Sequence, residues 1–384
     1  PSGWHYPMAL TAGDLDADGD LDLFLGQYRV PYESGSLPTP YYDANDGHPA
    51  YLLLNNGHGL FTDATSSANL QAKRWRRTYS ASLADLDADG HLDLVVVSDF
   101  AGVDLYHNDG RGRFTDVTDT WVPDARAFGM AHALADFNAD GRLDLLMIGM
   151  TSPTVDRLNH LGLWRSDVVE DRTMPARMMY GNRLLLALPT GGFSQTRLSD
   201  DVARSGWSWG CASFDFENDG FPDLYVANGL ESRASVRDYE SEYWLHDRFI
   251  AGSKPEPSAY LYFQSKFSRT RGRGHSYGGY ERNRLYLNRR ATAFLDVGHL
   301  MGLGHQEDAR NVVADDLDGD GRVDLVTTSF EPWPASRQIL RIHQNAIEHP
   351  GNWIGFRFQE EPGRPSPSGV DRKSTRLNSS HGKL

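Results

Sequence analysis

The 384-residue sequence lacks several features that would place it in a common class of protein. Cys211 is its one cysteine, so no internal disulfide can form and small disulfide-stapled folds are excluded. Its longest apolar runs, such as 94–97 and 184–188, have the length of strands, and none approaches the roughly 18 residues of a membrane-spanning helix. Positive charge is also scarce, with 38 Lys and Arg against 52 Asp and Glu and a formal net charge of −14. Nucleic-acid binders need a basic surface, so that class is disfavoured.

The two ends of the chain carry signals of their own. Residues 1–4 contain no initiator Met, no basic segment and no apolar segment, so we expect a truncated N-terminus and a signal peptide lost upstream of Pro1. Residues 371–384 form a basic tail whose first eleven residues match translated sequencing-adapter DNA residue for residue, so we expect this tail not to be native. The interpretation of fold and function therefore rests on residues 1–370.

One acidic motif, D-x-[D/N/E]-x-D-G-x-x-D, occurs five times, at 14–22, 85–93, 136–144, 215–223 and 316–324. Positions one, three, five and nine carry a side-chain oxygen in every copy, and position six is always glycine. Position seven has no shared side-chain chemistry, so its contribution must come from the backbone carbonyl. Ca²⁺ gathers about six to eight oxygen ligands, and a glycine lets the chain turn tightly around it.

The motif therefore predicts about five structural Ca²⁺ sites. The predicted ligands are Asp14, Asp16, Asp18, Asp20 and Asp22; Asp85, Asp87, Asp89, His91 and Asp93; Asp136, Asn138, Asp140, Arg142 and Asp144; Asp215, Glu217, Asp219, Phe221 and Asp223; and Asp316, Asp318, Asp320, Arg322 and Asp324, with Asp20, His91, Arg142, Phe221 and Arg322 acting through their carbonyls. Five Ca²⁺ would change the net charge from −14 to −4. We expect the third and fourth copies to bind more weakly, because Asn138 lacks a charge and Glu217 has a longer side chain.

Two other interpretations of the motif are weaker. Ordinary acidic surface turns also favour Asp and Gly, but a turn needs one or two such residues, and four oxygen-bearing side chains within nine residues repel one another unless a cation neutralises them. An EF-hand needs a bidentate Glu at position twelve and a helix on either side. Position twelve is occupied by Leu25, Val96, Met147, Val226 and Thr327, none of which can ligate.

The sequence around each motif predicts strands rather than helices. Runs rich in branched and aromatic residues follow the motifs, and segments such as 80–84 and 130–135 precede them, so each motif is predicted to connect two antiparallel strands. A second repeated phrase, at 51–65 and 104–118 with weaker copies at 182–193 and 283–296, predicts a hairpin with an Asn/Asp-Gly turn. One repeat thus supplies about four strands, which is the content of a propeller blade. The predicted fold class is all-β, a β-propeller of four-stranded antiparallel blades.

These motifs resemble the FG-GAP or VCBS repeats of integrin-α-type propellers over residues 9–345. Gly-Asn-Trp-Ile-Gly-Phe-Arg-Phe at 351–358 resembles the start of the UnbV domain of the cartilage-acidic-protein (ASPIC/UnbV) family, and Gly-Trp-Ser-Trp-Gly at 206–210 resembles that family's blades. The resemblance implies a propeller over 1–347, with about seven blades in the full protein and five Ca²⁺-loop blades visible here, and a truncated UnbV-like segment over 348–370. It also implies a secreted or surface-exposed protein of interaction type.

Functional residues are expected in the insertions at 29–48, 151–181 and 230–282, because loops on a rigid scaffold usually carry function. The longest insertion mixes aromatic and basic residues that could bind an acidic glycan or a partner protein, or could simply form its own small core and solvated face. The candidate ligand-binding residues there are Tyr243, Trp244, Tyr262, Arg269, Arg271 and Arg273.

The sequence contains few motifs that indicate catalysis. It contains no H-E-x-x-H, no G-x-S-x-G and no phosphate-binding glycine loop, and most clustered carboxylates are assigned to metal. We expect structural roles for His107, His132, His299 and His305 and a buried, unreactive Cys211. The favoured function is a non-enzymatic, Ca²⁺-binding interaction or adhesion module, extracellular, on the cell surface or periplasmic, that binds a protein or glycan and not nucleic acid. The alternative is a propeller-based carbohydrate-active lyase or dehydratase with a pocket in the insertions.

Overall fold

A computed structural model describes residues 4–31, 33–35, 38, 42–163, 173–240, 255–348 and 350–353. Most of the UnbV-like segment predicted at 348–370, and the whole tail at 371–384, lie outside the described residues. The described chain is dominated by antiparallel strands arranged in successive sheets.

Each sheet corresponds to one sequence repeat. The first contains β1 (Pro7–Gly13), β2 (Asp22–Gln27), β3 (Tyr51–Asn55) and β4 (Phe61–Asp63). The second contains β5 (Arg77–Ala84), β6 (Asp93–Asp99), β7 (Gly102–Asn108) and β8 (Phe114–Asp116). The third contains β9 (Gly129–Ala135), β10 (Asp144–Gly149), β11 (Arg183–Ala187) and β12 (Phe193–Gln195). The fourth contains β13 (Ser208–Phe214), β14 (Asp223–Asn228), β17 (Arg284–Asn288) and β18 (Phe294–Asp296). The fifth contains β19 (Asp308–Asp315), β20 (Asp324–Glu331) and β21 (Arg337–His343).

The insertions contain elements that the repeat pattern did not predict. A short parallel pair, β15 (Ser235–Asp238) and β16 (His275–Ser276), lies in the longest insertion, and a 3₁₀ turn spans Glu33–Gly35. The described helices are α1 (Thr118–Trp121), α2 (Pro153–His160), α3 (Met174–Met178), α4 (Arg197–Ala203) and α5 (Pro257–Gly272). The start of α2 has a local sequence cause, since Ser152 Oγ accepts a hydrogen bond from Thr154 N at 3.2 Å and Pro153 occupies the first helical position.

The predicted strand–motif–strand units and hairpins are confirmed. Each acidic motif joins the first and second strands of its sheet, and its ninth residue pairs with the last residue of the first strand, as in Gly13↔Asp22 and Ala84↔Asp93. The first strands of successive sheets lie side by side, β1 with β5, β5 with β9, β9 with β13 and β13 with β19. The sheets are therefore the blades of a β-propeller, and the acidic loops all emerge at one end of the strands.

The core lies between blades and follows the period of two along each strand. On β10, Leu145 and Met147 pack in one cluster with Val95 and Val97 of the second blade. Leu146 and Ile148 alternate with them and pack toward the fourth blade. Because this strand is covered on both faces, all of its residues are buried, and each fully buried aliphatic side chain contributes about 1.5 to 3 kcal/mol to folding.

The first and fifth blades differ from the inner ones. The fifth has three strands in the described residues rather than the four that were predicted. Leu10 on β1 and both Leu340 and Ile342 on β21 are each about two-thirds exposed, whereas inner blades bury their apolar residues. The described residues therefore do not cover these apolar side chains of β1 and β21. The number of about seven blades stays a prediction.

Candidate metal sites

All five acidic loops share one hydrogen-bond framework, which is clearest in the first. Asp14 at position one accepts two backbone N–H groups, from Asp18 to Oδ1 at 3.2 Å and from Gly19 to Oδ2 at 3.1 Å. Asp18 at position five accepts from Asp20 N at 3.0 Å. The other four loops repeat both patterns. The loop conformation is thus built by backbone and carboxylate hydrogen bonds of the chain itself.

Position nine ties each loop to the third strand of its blade. Asp22 Oδ2 accepts from Leu15 N at 3.0 Å and Asp22 Oδ1 accepts from Asn55 N at 2.8 Å. The same two bonds recur in every loop. Burial raises the pKa of Asp93 to about 6 and that of Asp144 to about 7. These carboxyls therefore hold the hairpins in register, a role that the spacing alone did not reveal.

Two left-handed residues bend each loop. The expected one is the glycine at position six, such as Gly19 with φ 93°. Position four is also left-handed, even where it is alanine, as at Ala17 (φ 61°), Ala88 (φ 63°) and Ala139 (φ 57°). An alanine in this region costs roughly 1 kcal/mol, so the rest of the loop must enforce it. The sequence did not predict this feature, because alanine carries no turn signal.

In three loops the carboxylates converge. Oxygens of Asp14, Asp16 and Asp18, of Asp316, Asp318 and Asp320, and of Asp85, Asp87 and Asp93 lie within 4.8 Å of one another in each group. In the part of the chain that the structure describes, the third and fourth loops form no such three-carboxylate group. The weaker binding expected of these two loops stays a prediction.

The first loop contains a buried oxygen whose hydrogen-bonding capacity is unused. Asp16 Oδ1 is buried and has no hydrogen-bond partner among the described residues. Burial raises the pKa of Asp16, and the neighbouring Asp18 and Asp14 carboxylates raise it further. A buried carboxylate oxygen without a partner is costly, and a cation with oxygen ligands would satisfy it. The atoms that could ligate a metal here are all oxygens, which are hard ligands, so the residues fit a hard divalent cation.

Arginine side chains lie against carboxylates of the third, fourth and fifth loops. Arg142 pairs with Asp140 in the third loop and Arg322 pairs with Asp320 in the fifth. In the fourth loop Arg289 Nη1 lies 3.5 Å from Glu217 Oε1, and Arg290 lies close to the position-five carboxylate. Among the described residues, no arginine or lysine pairs with the first loop. The loops thus differ in how much of their negative charge the protein already compensates.

A residue of the third strand also reaches the second and fifth loops. His107 Nε2 lies 3.1 Å from Asp87 Oδ2 and 3.3 Å from Asp89 Oδ2, although no sequence pattern predicts this histidine at a loop. At the equivalent place in the fifth blade, Gln344 Nε2 donates to Asp318 Oδ2 at 2.7 Å. Only the register of the third strand brings these residues to the loops, so spacing could not identify them.

The other residues singled out in the sequence have separate places. His132 Nδ1 lies 2.9 Å from Ser80 Oγ, and burial lowers its pKa to about 4, in agreement with a structural role. Burial raises the pKa of the Cys211 thiol to about 12, which makes it unreactive as expected. His299 lies in the turn after β18, and His305 Nε2 is buried without a hydrogen-bond partner among the described residues.

Four of the six predicted ligand-binding residues lie in or beside α5. Tyr262 and Arg269 are exposed on α5, Arg271 lies within that helix and Arg273 is exposed just after it. Tyr243 and Trp244 lie outside the described residues. These six positions stay a prediction. Within the residues described, no helix combines the length and apolar composition that a membrane span requires.

Three comparisons with known proteins bear on this architecture. A family model described as FG-GAP-like repeat matches residues 85–147, which include the second and third acidic loops. Human cartilage acidic protein 1 is 25% identical over 233 residues, a match that covers 57% of this chain and 31% of that protein.

The crystal structure of rhamnogalacturonan lyase YesW aligns over 90% of this chain and 62% of its own, with 15% identity and a TM-score of 0.28. A similarity at that level carries no argument about activity. The repeat match, the distant relative and the blade architecture lead to one conclusion. The chain contains FG-GAP-like repeats, arranged as the blades of a propeller, and is distantly similar to human cartilage acidic protein 1.

Proposed function

We propose that this protein is a Ca²⁺-stabilised, non-enzymatic interaction module that works outside the cytoplasm and binds a protein or a glycan. The metal loops would stabilise the propeller from one end of the blades. The insertions at the other end would present the binding surface. The insertions at 29–48, 151–181 and 230–282 all follow the second strand of a blade, so their described residues begin at the end opposite the acidic loops.

The observation that carries the metal part of this proposal is the first loop. Three carboxylates converge on a framework already fixed by backbone hydrogen bonds, and the buried Asp16 Oδ1 has no partner among the described residues. The side chains of Asp14, Asp16, Asp18 and Asp22 and the carbonyl of Asp20 would hold the ion. Bound Ca²⁺ would supply positive charge and ligation for oxygens that otherwise repel one another.

The five loops would not be equal sites. The first and second loops have no arginine partner among the described residues, but His107 already lies on two carboxylates of the second, so we infer that the first binds Ca²⁺ most tightly. In the third, fourth and fifth loops arginines already lie against a carboxylate, and the third also loses a charge at Asn138 while the fourth carries the longer Glu217, so these two sites would be weakest. Extracellular modules bind Ca²⁺ at about 0.1 to 1 mM, a range in which such graded sites would be partly or fully occupied outside cells.

The interaction part of the proposal is tested with one matched pair of proteins. The Ca²⁺-loaded chain and a variant with residues 257–272 replaced by a Gly-Ser linker are applied to arrays of polysaccharides and of matrix proteins. We expect saturable binding by the chain and loss of binding by the variant, with equal melting temperatures. For each polysaccharide that binds, unsaturated and reducing products are measured as well. Any turnover would contradict the non-enzymatic proposal and support the lyase or dehydratase alternative.

A further inference from the structure

A cavity of about 1500 Å³ lies at the end of the blades that carries the insertions. Its wall is built where the first strands begin and the second strands end, at residues such as Met8, Tyr79, Met130 and Trp209. The helix α5 closes one side, through Tyr260, Gln264 and Ser268, which are four residues apart and share a helix face. Ligand sites commonly measure about 300 to 1000 Å³, so this cavity can accept more than a small molecule.

Aromatic rings form most of the rigid wall. Tyr28 and Tyr79 lie with their ring centroids 4.3 Å apart, and Trp209 follows at 6.1 Å from Tyr79. On the other side Trp207 lies 4.7 Å from Tyr277 in an edge arrangement. Such ring faces carry negative electrostatic potential, which favours a cation over an anion when water is excluded.

The charged lining residues have one sign. The acidic lining residues are Glu33, Asp99 and Glu231, and none of the described lining residues is Lys, Arg or His. Arg29 pairs with Glu33 and Arg233 pairs with Glu231, so Asp99 is the acid of the wall that forms no ion pair among the described residues. Asp99 is 5% exposed and accepts hydrogen bonds from the Tyr28 hydroxyl and from Phe100 N, each at 3.0 Å.

The nearest arginines are already engaged by the protein. Arg310 stacks on Trp209 with its guanidinium carbon 4.6 Å from the ring centre, and it donates to the carbonyls of Gly229 and Leu230. Arg77 forms a two-pronged ion pair with Asp46 at 2.9 and 3.0 Å. Neither lines the cavity, so the aromatic rings and the Asp99 carboxyl are the groups of the wall that a cationic ligand would complement.

One polar donor of the wall has no partner. Trp209 Nε1 is buried and makes no hydrogen bond within the described residues. An indole N–H can only donate, so the ligand that satisfies it must bring an oxygen acceptor. A purely hydrocarbon cation would leave this group unpaired, which costs about 1 to 3 kcal/mol.

We propose that this cavity binds an alkylammonium group with a neighbouring oxygen acceptor, held between the Tyr79 and Trp209 rings and the Asp99 carboxylate. Free choline-like amines and a lysine or methylated lysine side chain of a protein share this chemistry. The inference deepens the proposed interaction function, since it names the ligand group that the insertion face recognises. It also predicts a basic or cationic ligand, whereas the arginines of the longest insertion had suggested an acidic one.

Calorimetric titration of the Ca²⁺-loaded chain tests this with a matched pair of probes. Choline and its neutral isostere 3,3-dimethyl-1-butanol have the same shape and hydroxyl group and differ in charge. We expect choline to bind at least about fivefold more tightly, and a peptide with a central trimethyl-lysine to bind more tightly still if the ligand is a protein. Equal affinity for choline and the isostere, or no saturable heat with choline and the peptide, would overturn the inference.

Three variants locate the site. Asp99→Asn keeps the acceptor for Phe100 N and removes the charge, and Trp209→Leu removes a ring and the unpaired N–H, so each should weaken choline binding at least about fivefold. Trp75→Leu, at an exposed tryptophan outside the cavity, should leave it unchanged. If Trp209→Leu does not fold, Asp99→Asn still tests the proposed site. Unchanged choline binding by Asp99→Asn would contradict it. Ca²⁺-dependent melting is followed in parallel, because its loss would count against the metal proposal and not against the cavity.

Discussion

At the scale of single residues, the environment of a carboxyl decides whether it acts as a charge or as a hydrogen-bonding group. Asp16 is held against two other carboxylates with one oxygen unpartnered among the described residues. Asp22, six residues later, has both oxygens bound to backbone N–H groups. The same residue type in one loop thus offers an unused oxygen to a cation in the first case, and in the second case anchors the hairpin through both oxygens, whose remaining lone pairs are what it can offer to the ion.

Asp16→Asn should therefore have opposite effects with and without metal. It removes one of three mutually repelling charges, so the melting temperature in EGTA should rise slightly. It also removes a charged ligand, so the increase produced by Ca²⁺ should shrink by an amount equivalent to about 1 kcal/mol or more. Differential scanning calorimetry measures both, and Asp119→Asn on the exposed surface of α1 is the control that should change neither. A variant that melts like the wild type under both conditions would remove Asp16 from the site.

Glu281 provides a test through pH. Burial raises its pKa from an ordinary 4.5 to about 8, and the nearby carboxyls of Glu240, Asp238 and Asp308 add to the increase. The folded state then holds this proton more tightly than the unfolded state, so its contribution to stability is lost as pH rises from about 4.5 to about 8. One pKa unit corresponds to about 1.4 kcal/mol.

Glu281→Gln mimics the protonated acid, so the free energy of unfolding of this variant should fall less as pH rises over that range. Between about pH 5.5 and 8.5 the free energy of unfolding of the wild type should fall at least about 1 kcal/mol further than that of the variant, as measured by urea denaturation. Glu348→Gln, at an exposed position, should follow the wild type. Parallel curves for wild type and Glu281→Gln would show that Glu281 is ionised in the folded protein.

At the scale of elements, asparagines at the ends of third strands connect neighbouring blades. Asn108 Nδ2 donates to Leu15 O at 2.9 Å, Asn288 Nδ2 donates to Phe137 O at 2.8 Å, and the fifth blade repeats the bond. In each case the acceptor belongs to position two of the preceding blade's acidic loop. The third blade has Ala187 at this place and lacks the bond.

Asn108→Ala should loosen the contact between the first two blades. It removes the buried hydrogen bond to Leu15 O, which keeps Gly112 N as a donor at 2.9 Å, and the bond to Leu92 O, so we expect a loss of about 1 to 2 kcal/mol in the free energy of unfolding. Asn55→Ala is the matched control, since Asn55 is half-buried and its amide donates only within its own blade, to Leu21 O at 3.3 Å. Urea denaturation should show at most about 0.5 kcal/mol for that variant. Equal losses in the two variants would contradict the inter-blade role.

The loops also predict an order of metal affinity that substitution can change. Arg142 places its guanidinium on Asp140, where it competes with a bound cation. Arg142→Ala should therefore raise the Ca²⁺ affinity of the third loop several-fold and lower the melting temperature in EGTA. Calcium titration by calorimetry checks the first effect. Arg113→Ala, an exposed arginine of a hairpin turn, should change neither quantity, and an unchanged titration of Arg142→Ala would exclude competition.

At the scale of the whole molecule, the periodic features were the predictable ones. The five motifs predicted the loops, the runs of branched and aromatic residues predicted the strands, and the Asn/Asp-Gly turns predicted the hairpins, because all three depend on neighbours within a few residues. The inter-blade bond of Asn288 joins residues 151 apart in sequence, and the place of His107 depends on strand register. The helix α5 and the cavity depend on how separate insertions meet, which no local pattern encodes.

Calcium dependence of global stability tests the central claim most directly. Thermal unfolding of the chain is measured in millimolar Ca²⁺, in the same concentration of Mg²⁺ and in EGTA at equal ionic strength. We expect Ca²⁺ to raise the melting temperature by several degrees over EGTA, since a ligand held about tenfold above its Kd adds about 1.4 kcal/mol per site, with Mg²⁺ giving less. Identical melting curves in Ca²⁺ and EGTA would contradict the account.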